Sequence, residues 1–376
     1  MTRVPTIDLF AGAGGLSIAA AAAGGDVRLH VEIDPVACDT LRSNPKHHSG
    51  DVLEADVGDL EGSELREHAG LRGSDPLIVV GGPPCQPFSK AAFWSEDGDD
   101  AAYRRARAEG RSAPRPRKHG HKPDDRRFLV DDFLRLVVES KADAFLFENV
   151  ASLLAPRNKA MLEGLLAKAR RGGFATTVIR ANAVAYGVPQ KRERVFVIGG
   201  REAVPVAPEP THALEPTIDL KPAVTAGEAL SPFNDDSYFE PEEVVKGRWA
   251  EHLKTVPPGW NYKAHTAWGG HPQPTFVTET RFWNFLLKLS PDMPSWTIPA
   301  NPGPWTGPFH WDTRRLRTPE LAALQAFPRG YRFAGSRRER VRQIGNAAPP
   351  PLAKPMVAAA LATVGAVADE TLAWTA

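Results

Sequence analysis

The chain predicts an α/β fold: a doubly wound, Rossmann-like sheet carrying a smaller, loop-rich second domain. Three observations point there. Short apolar runs bounded by Gly, Pro or Asp alternate with helix-like stretches over the first 200 residues. A glycine-rich turn, Asp8-Leu9-Phe10-Ala11-Gly12-Ala13-Gly14-Gly15, joins the first such run to the first helix-like stretch. The composition then breaks at about residue 203: positions 203–311 hold 17 of the 35 prolines and 7 of the 9 tryptophans, and helical periodicity fades.

In order, the expected strands are Thr6–Phe10, Arg28–Ile33, Leu77–Val80, Ala144–Phe147, Thr176–Arg180 and Arg194–Ile198. They are short, largely apolar runs of the kind that a parallel sheet buries on both faces. The helices expected between them are Leu16–Ala23, Pro35–Ser43, Phe128–Ser140 and Lys159–Arg171. Past the irregular segment, Leu321, Leu324 and Phe327 restore a helical period, with Thr318 expected as N-cap and Pro319 at the first helical position. A last helix follows Pro349-Pro350-Pro351 and runs through Val357–Val364.

Composition excludes several classes. With 376 residues, 42% hydrophobic and 24% charged, the chain is long enough for two or three domains and ordinary for a globular protein. No apolar run reaches 18 residues, which argues against a membrane span. The Ala/Gly-rich residues 6–25 are broken by Asp8 and by two glycine clusters, so they read as part of the fold rather than as a signal peptide. Two cysteines, Cys38 and Cys85, rule out a disulfide scaffold and suit a reducing, cytoplasmic setting. No metal-ligand cluster stands out. The net charge of +1 conceals two basic runs, 104–127 and 314–342, each with a local balance of +7. Either is a solvated face or a phosphate-binding surface.

The motifs gather at the ends of the expected strands. The glycine turn lets backbone approach a ligand at a helix N-terminus. Glu32, in Val31-Glu32-Ile33-Asp34, ends the second strand about 20 residues later, where an acid can accept from ribose hydroxyls; together the two features point to an adenosine-containing cofactor. Strand Leu77–Val80 runs into Gly81-Gly82-Pro83-Pro84-Cys85-Gln86-Pro87-Phe88-Ser89, whose prolines stiffen a turn presenting Cys85. Cys38, by contrast, reads as a buried structural thiol. Glu148, in Phe147-Glu148-Asn149-Val150, sets a carboxylate on the same rim. In Gln190-Lys191-Arg192-Glu193-Arg194, strand alternation would turn Arg192 and Arg194 to one face, toward anionic or polar partners.

Taken together and in order, DLFAGAGG, GGPPCQPFS, ENV, QKRER and QIGNAAPPPLAK resemble the cytosine-C5 DNA methyltransferases of prokaryotic type. The resemblance runs from Pro5 to about Met356, and the ordered set is far more specific than any one motif. It implies an S-adenosyl-L-methionine-dependent enzyme that flips a target cytosine from duplex DNA and methylates C5 through a covalent cysteine adduct, in a restriction-modification or epigenetic role. By that resemblance Cys85 matches the nucleophile, Glu148 the group that holds N3 and the exocyclic amine, Arg194 the arginine on O2, and Arg192 a supporting arginine. Phe10 matches the residue stacked on adenine; Gly12, Gly14 and Asn346 lie near the methionine part, Glu32 binds ribose, Asp51 binds the adenine amine, and Val52 and Pro83 count among the cofactor-binding residues.

The return of cofactor motifs near Gln343 implies a discontinuous catalytic domain, 1–203 and 320–376, with 204–319 as target-recognition domain. The stretch from Pro87 to Asp125 is long and basic for the loop that closes on the flipped base. The expected partners are double-stranded DNA and a cognate restriction endonuclease, with the chain monomeric on DNA and no membrane involved. Three other readings compete. A transfer-RNA methyltransferase of the same fold would carry a Cys-Phe-Thr triplet, which is absent; a non-catalytic paralogue would lack Cys85 or Glu148; an oxidoreductase would space its glycines differently.

Overall fold

The computed structural model describes residues 3–84, 111–112, 128–276 and 283–365. Cys85 and nearly all of the basic run 104–127 lie outside the described residues.

Seven strands form one sheet: β1 (Val4–Leu9), β2 (Gly25–Glu32), β3 (Asp51–Glu54), β4 (Ile78–Gly81), β5 (Ala144–Val150), β6 (Ala175–Asn182) and β7 (Glu193–Gly200). Their spatial order is β3-β2-β1-β4-β5-β7-β6. All neighbours are parallel except β7, which runs antiparallel to both β5 and β6. This is the doubly wound architecture expected. The chain order reverses at β1 and β4, so a crevice opens beyond the carboxyl ends of those two strands. Strand β3 was not foreseen; it is only four residues long and half-exposed, which leaves no apolar run to read.

Alternation assigns the two faces. Ile78, Val80, Ala144, Leu146, Phe196 and Ile198 point to one, against α1 (Gly15–Ala22) and the C-terminal helix. Leu77, Val79, Phe145, Phe147, Val195 and Val197 point to the other. There they meet α3 (Gly62–His68), α4 (Leu129–Glu139) and α5 (Lys159–Arg171). Between β2 and β3 lies α2 (Pro35–Arg42), whose N-cap Asp34 accepts from the Val36 amide at 3.1 Å.

The segment after β7 contributes α6 (Ala226–Leu230) and α7 (Ala250–Thr255) but little other regular structure. The chain returns through α8 (Thr318–Leu324), α9 (Arg337–Asn346) and α10 (Pro350–Ala362). Helix α8 starts one residue earlier than expected. Arg317, not Thr318, is the N-cap, because the Glu320 carboxylate reaches back to the Arg317 amide at 2.7 Å.

The irregular segment has two cores. Leu253, Val256, Tyr262, Leu286 and Phe309 cluster among themselves. Ala226, Leu230, Leu289 and Ile298 instead share a cluster with Ala13 and Ile18 of the sheet domain. Four arginines of the run 314–342 are in ion pairs: Arg314 with Glu320, Arg317 with Glu243, Arg337 with Glu240 and Arg342 with Asp34. Much of that basic run therefore joins parts of the fold rather than facing solvent. Among the described residues no helix is long and apolar enough to cross a membrane.

Candidate active site

The crevice is a cleft of about 260 Å³. Every strand that faces it does so with its end. Phe10 to Ala13 follow β1, Glu32 to Asp34 follow β2, Gly82 to Pro84 follow β4, and Glu148 with Val150 close β5. Because β7 is antiparallel, its first residues come to the same rim, and Arg194 pairs in register with Val150. Asn346, at the end of α9, completes the wall.

The turn after β1 is unusual backbone. Phe10, Gly12 and Gly14 have φ of 59°, 53° and 78°. Two glycines adopt this left-handed region freely, but Phe10 does so at a cost, held by the surrounding structure. The Gly12 amide donates to Glu32 Oε2 at 2.7 Å, and the amides of Ile33 and Asp34 donate to Oε1 at 3.0 and 2.9 Å. Burial raises the Glu32 pKa, while these donors oppose the rise. The arrangement fixes one carboxyl at the carboxyl end of β2, where a diol can meet its remaining lone pairs.

At the opposite side Glu148 is buried, with its Oε1 2.8 Å from Arg194 Nε. Burial raises its pKa, against the opposing pull of Arg194 and then Arg192. The turn after β4 approaches closely: a Cβ on Gly82 would lie 3.1 Å from Glu148 Oε2. Asn149 Nδ2 donates to the Pro83 carbonyl at 3.1 Å and ties that turn, two residues before Cys85, to the end of β5.

Arg192 and Arg194 do not share a strand face as alternation suggested. Arg192 sits in a break between the two-residue strand Gln190–Lys191 and β7, and is fully buried. Its guanidinium donates to the carbonyls of Gly345 at 2.8 Å, Ala347 at 3.0 Å and Ile298 at 3.5 Å. It braces two distant chain segments against its own, and its charge acts on Glu148.

Of the residues expected to bind the cofactor, Phe10, Gly12, Glu32, Pro83 and Asn346 all line the cleft. Gly14 lies behind it as the N-cap of α1, packed so tightly on His48 that a Cβ would come within 2.3 Å of the ring. Asp51 and Val52 are elsewhere. Register pairs Glu54 with Glu32, so Asp51 stands three residues, about 10 Å, below the rim. The acid of this segment that does line the cleft is Asp56, two residues past β3, with Ala55 and Val57 beside it. In sequence it follows a strand too short and exposed to read; it N-caps the following turn by accepting from the Gly58 amide at 2.9 Å.

A buried polar chain beneath the glycine turn was also missed. Ser17 bonds Asp8 and lies 2.8 Å from His30 Nδ1; His30 stacks edge-on against His48 at 5.0 Å. His48 Nε2 is 2.7 Å from the Tyr331 hydroxyl, which donates to the Ala13 carbonyl at 2.7 Å. Burial moves Asp8 up to about 7, and lowers His30 to about 4 and His48 to about 3. Its members are separated by up to 323 residues, which no local pattern records.

The family model for C-5 cytosine-specific DNA methylase matches residues 4–106 and 115–361. The type II methyltransferase M.SacI of Streptomyces achromogenes is 37% identical over 96% of this chain and 94% of its own length. M1.HphI of Haemophilus parahaemolyticus, also a type II methyltransferase, is 30% identical over 94% and 86%. Among solved structures, a prophage-encoded Escherichia coli protein described as a DNA modification methyltransferase superposes with a TM-score of 0.65 at 22% identity, over 97% of this chain and 100% of that one. The chain belongs to the C-5 cytosine-specific DNA methylase family, and it is a DNA cytosine methyltransferase of the restriction-modification kind.

Proposed function

We propose that the cleft holds S-adenosyl-L-methionine between the β1 turn and Glu32, and the extruded cytosine between Glu148, Arg194 and the turn bearing Cys85. The observation that carries this reading is the pairing, in one cleft, of a carboxyl held by three backbone amides with a buried Glu–Arg pair. The first suits a ribose diol, the second a neutral heterocycle that acquires charge. Phe10 offers a ring to adenine and Asp56, rather than Asp51, an acceptor for its amine; Asn346 faces the methionine part. When bound, S-adenosylmethionine supplies the methyl group as an electrophilic sulfonium.

The residues then divide the work. The Cys85 thiolate adds to C6, forming an S–C6 bond and making C5 enamine-like. Glu148 meets N3: its raised pKa favours the protonated carboxyl, which donates as ring charge develops. Arg194, whose Nη1 donates to the Glu193 carbonyl at 2.7 Å, meets O2 and stabilises the same charge. After C5 is methylated, loss of its proton expels the thiolate and restores the ring. Residues 204–319 serve as the recognition domain, the chain acts as a monomer, and an endonuclease cutting the same site is its partner.

The deciding experiment traps the adduct. A duplex library containing 5-fluorocytosine, incubated with S-adenosylmethionine, should give a denaturation-resistant complex with wild type and none with Cys85→Ser. Equal trapping by both would remove Cys85 from the mechanism. Bisulfite sequencing of plasmid methylated by the wild type reads out the site.

A further inference from the structure

Seven tryptophans lie in the irregular segment, and they fall into two groups. Trp249, Trp305 and Trp311 are half-buried against its cores. Trp260, Trp268 and Trp283 are 44%, 64% and 44% exposed, and Trp296, half-buried like the first three, adjoins Trp283. These four are not scattered. Lys191 Nζ lies over the Trp296 ring at 4.9 Å; Trp296 meets Trp283 at 5.2 Å; Lys263 lies 5.5 Å from Trp283 and 5.1 Å from Trp268; Trp268 meets Trp260 at 6.2 Å. The six side chains form one continuous row.

One end of the row is fixed to the active site. Gln190–Lys191 pairs in parallel with Ser295–Trp296, and the Thr297 hydroxyl donates to the Lys191 carbonyl at 2.6 Å. The next residues are Arg192, the brace, and Arg194, on Glu148. The row therefore leaves the rim of the base-binding cleft and runs outward over the irregular segment. Its charge is one-signed. Neither lysine is in an ion pair among the described residues, and 260–276 contains no Asp or Glu.

Several large rings in an exposed row are costly unless something covers them. Indoles interspersed with ammonium groups that lie over their rings and have no carboxylate partner among the described residues match a polyanion whose flat bases or sugars can lie on the exposed ring surface while its phosphates meet the lysines. A protein partner would find no acceptor for two free cations without bringing its own acids. We propose that Lys191, Trp296, Trp283, Lys263, Trp268 and Trp260 form a stacking track for the DNA strand beside the extruded cytosine, where removal of one base leaves its neighbours unstacked. The proposal rests on the methyltransferase reading above and specifies which surface of the recognition segment holds substrate.

The test uses the full chain, unmethylated plasmid DNA and tritiated S-adenosylmethionine, with Trp268→Ala, Trp283→Ala and Lys263→Gln. Each tryptophan variant should raise KM for DNA about tenfold or more, with a smaller fall in kcat. S-adenosylmethionine affinity by calorimetry should be unchanged. Trp268→Phe, which keeps a ring, should recover most of the loss. Plasmid should also shield wild-type tryptophan fluorescence from iodide. Unchanged KM in both tryptophan variants would overturn the track. So would a Phe variant as impaired as the Ala variant, which marks a packing role. Shielding that grows with protein concentration without DNA would assign the surface to self-association instead. A wild type that transfers no methyl to DNA would fell the parent reading, and the track with it.

Discussion

The sheet domain and the irregular segment solve the same problem, placing chemistry at a rim, by opposite means. The sheet sets Glu32, Glu148 and Arg194 on the ends of strands buried on both faces, so their positions follow from backbone register. The segment holds its aromatic side chains on turns and short bridges around a small core. Register tolerates little variation; turns tolerate much. The contrast teaches where variation is cheap: site choice can change in the segment without moving the groups that do the chemistry.

The sharpest way to break that contrast is to disable the rim alone. Glu148→Gln keeps the shape but removes a titratable acid, and kcat should fall by roughly 10²-fold or more, with duplex and S-adenosylmethionine affinities nearly unchanged. In wild type, kcat should decline as pH rises past the elevated Glu148 pKa, since the deprotonated carboxylate cannot donate; the Gln variant should lack that limb. Loss of cofactor binding instead would show the two halves of the cleft to be one unit.

The converse attacks the segment. Phe309 is fully buried in its separate core, so Phe309→Ala should cost about 3–5 kcal/mol locally. Methylation of DNA should fail while calorimetry still reports cofactor binding. A smaller change sharpens the comparison within the rim: in Gly82→Ala the new Cβ meets Glu148 Oε2 and must displace it by a few tenths of an ångström. A drop in kcat of about tenfold with intact cofactor affinity is expected, in line with the sensitivity of chemistry to sub-ångström placement.

The smallest effect concerns the polar chain under the glycine turn. His30 and His48 titrate lower folded than unfolded, so they contribute stability that is present above about pH 6.5 and is lost as pH falls toward 4. Asp8 titrates higher folded, so its contribution is present at low pH and is lost as pH rises from about 4 to about 7. The two oppose one another. Asp8→Asn removes the second, and stability from urea melts should then climb more steeply between pH 4 and 6.5, by about 1 kcal/mol per pH unit. An unchanged slope would mean that Asp8 stays ionised in the fold.

How much was legible follows from the same contrast. Strand ends are visible as apolar runs stopped by Gly, Pro or an acid, which marked Glu32 and Glu148; the resemblance of the ordered motifs added Phe10, Gly12, Pro83, Arg194 and Asn346, and one cleft collects all of them. Depth along a strand is not visible. Gly50-Asp51-Val52 looks like a motif at a strand end, yet the strand continues to Glu54 and the rim belongs to Asp56. Arg192 shows its charge in sequence but not that three carbonyls from distant segments surround it. His30, His48 and Tyr331 meet only through tertiary structure. In the irregular segment, tryptophan content marked an unusual region, but without periodicity nothing separated the buried rings from the exposed ones.

The packing of α10 on α1 has a consequence for how the molecule is made. Leu16, Ala19 and Ala20 share a core with Leu352, Met356 and Val357, roughly 330 residues downstream. At about 5–20 residues per second, a ribosome needs between about 15 s and a minute to span that gap. Throughout that interval the first helix and one face of the first strands have been synthesised but lack their cover. That face of the early sheet must thus wait uncovered until α10 leaves the exit tunnel.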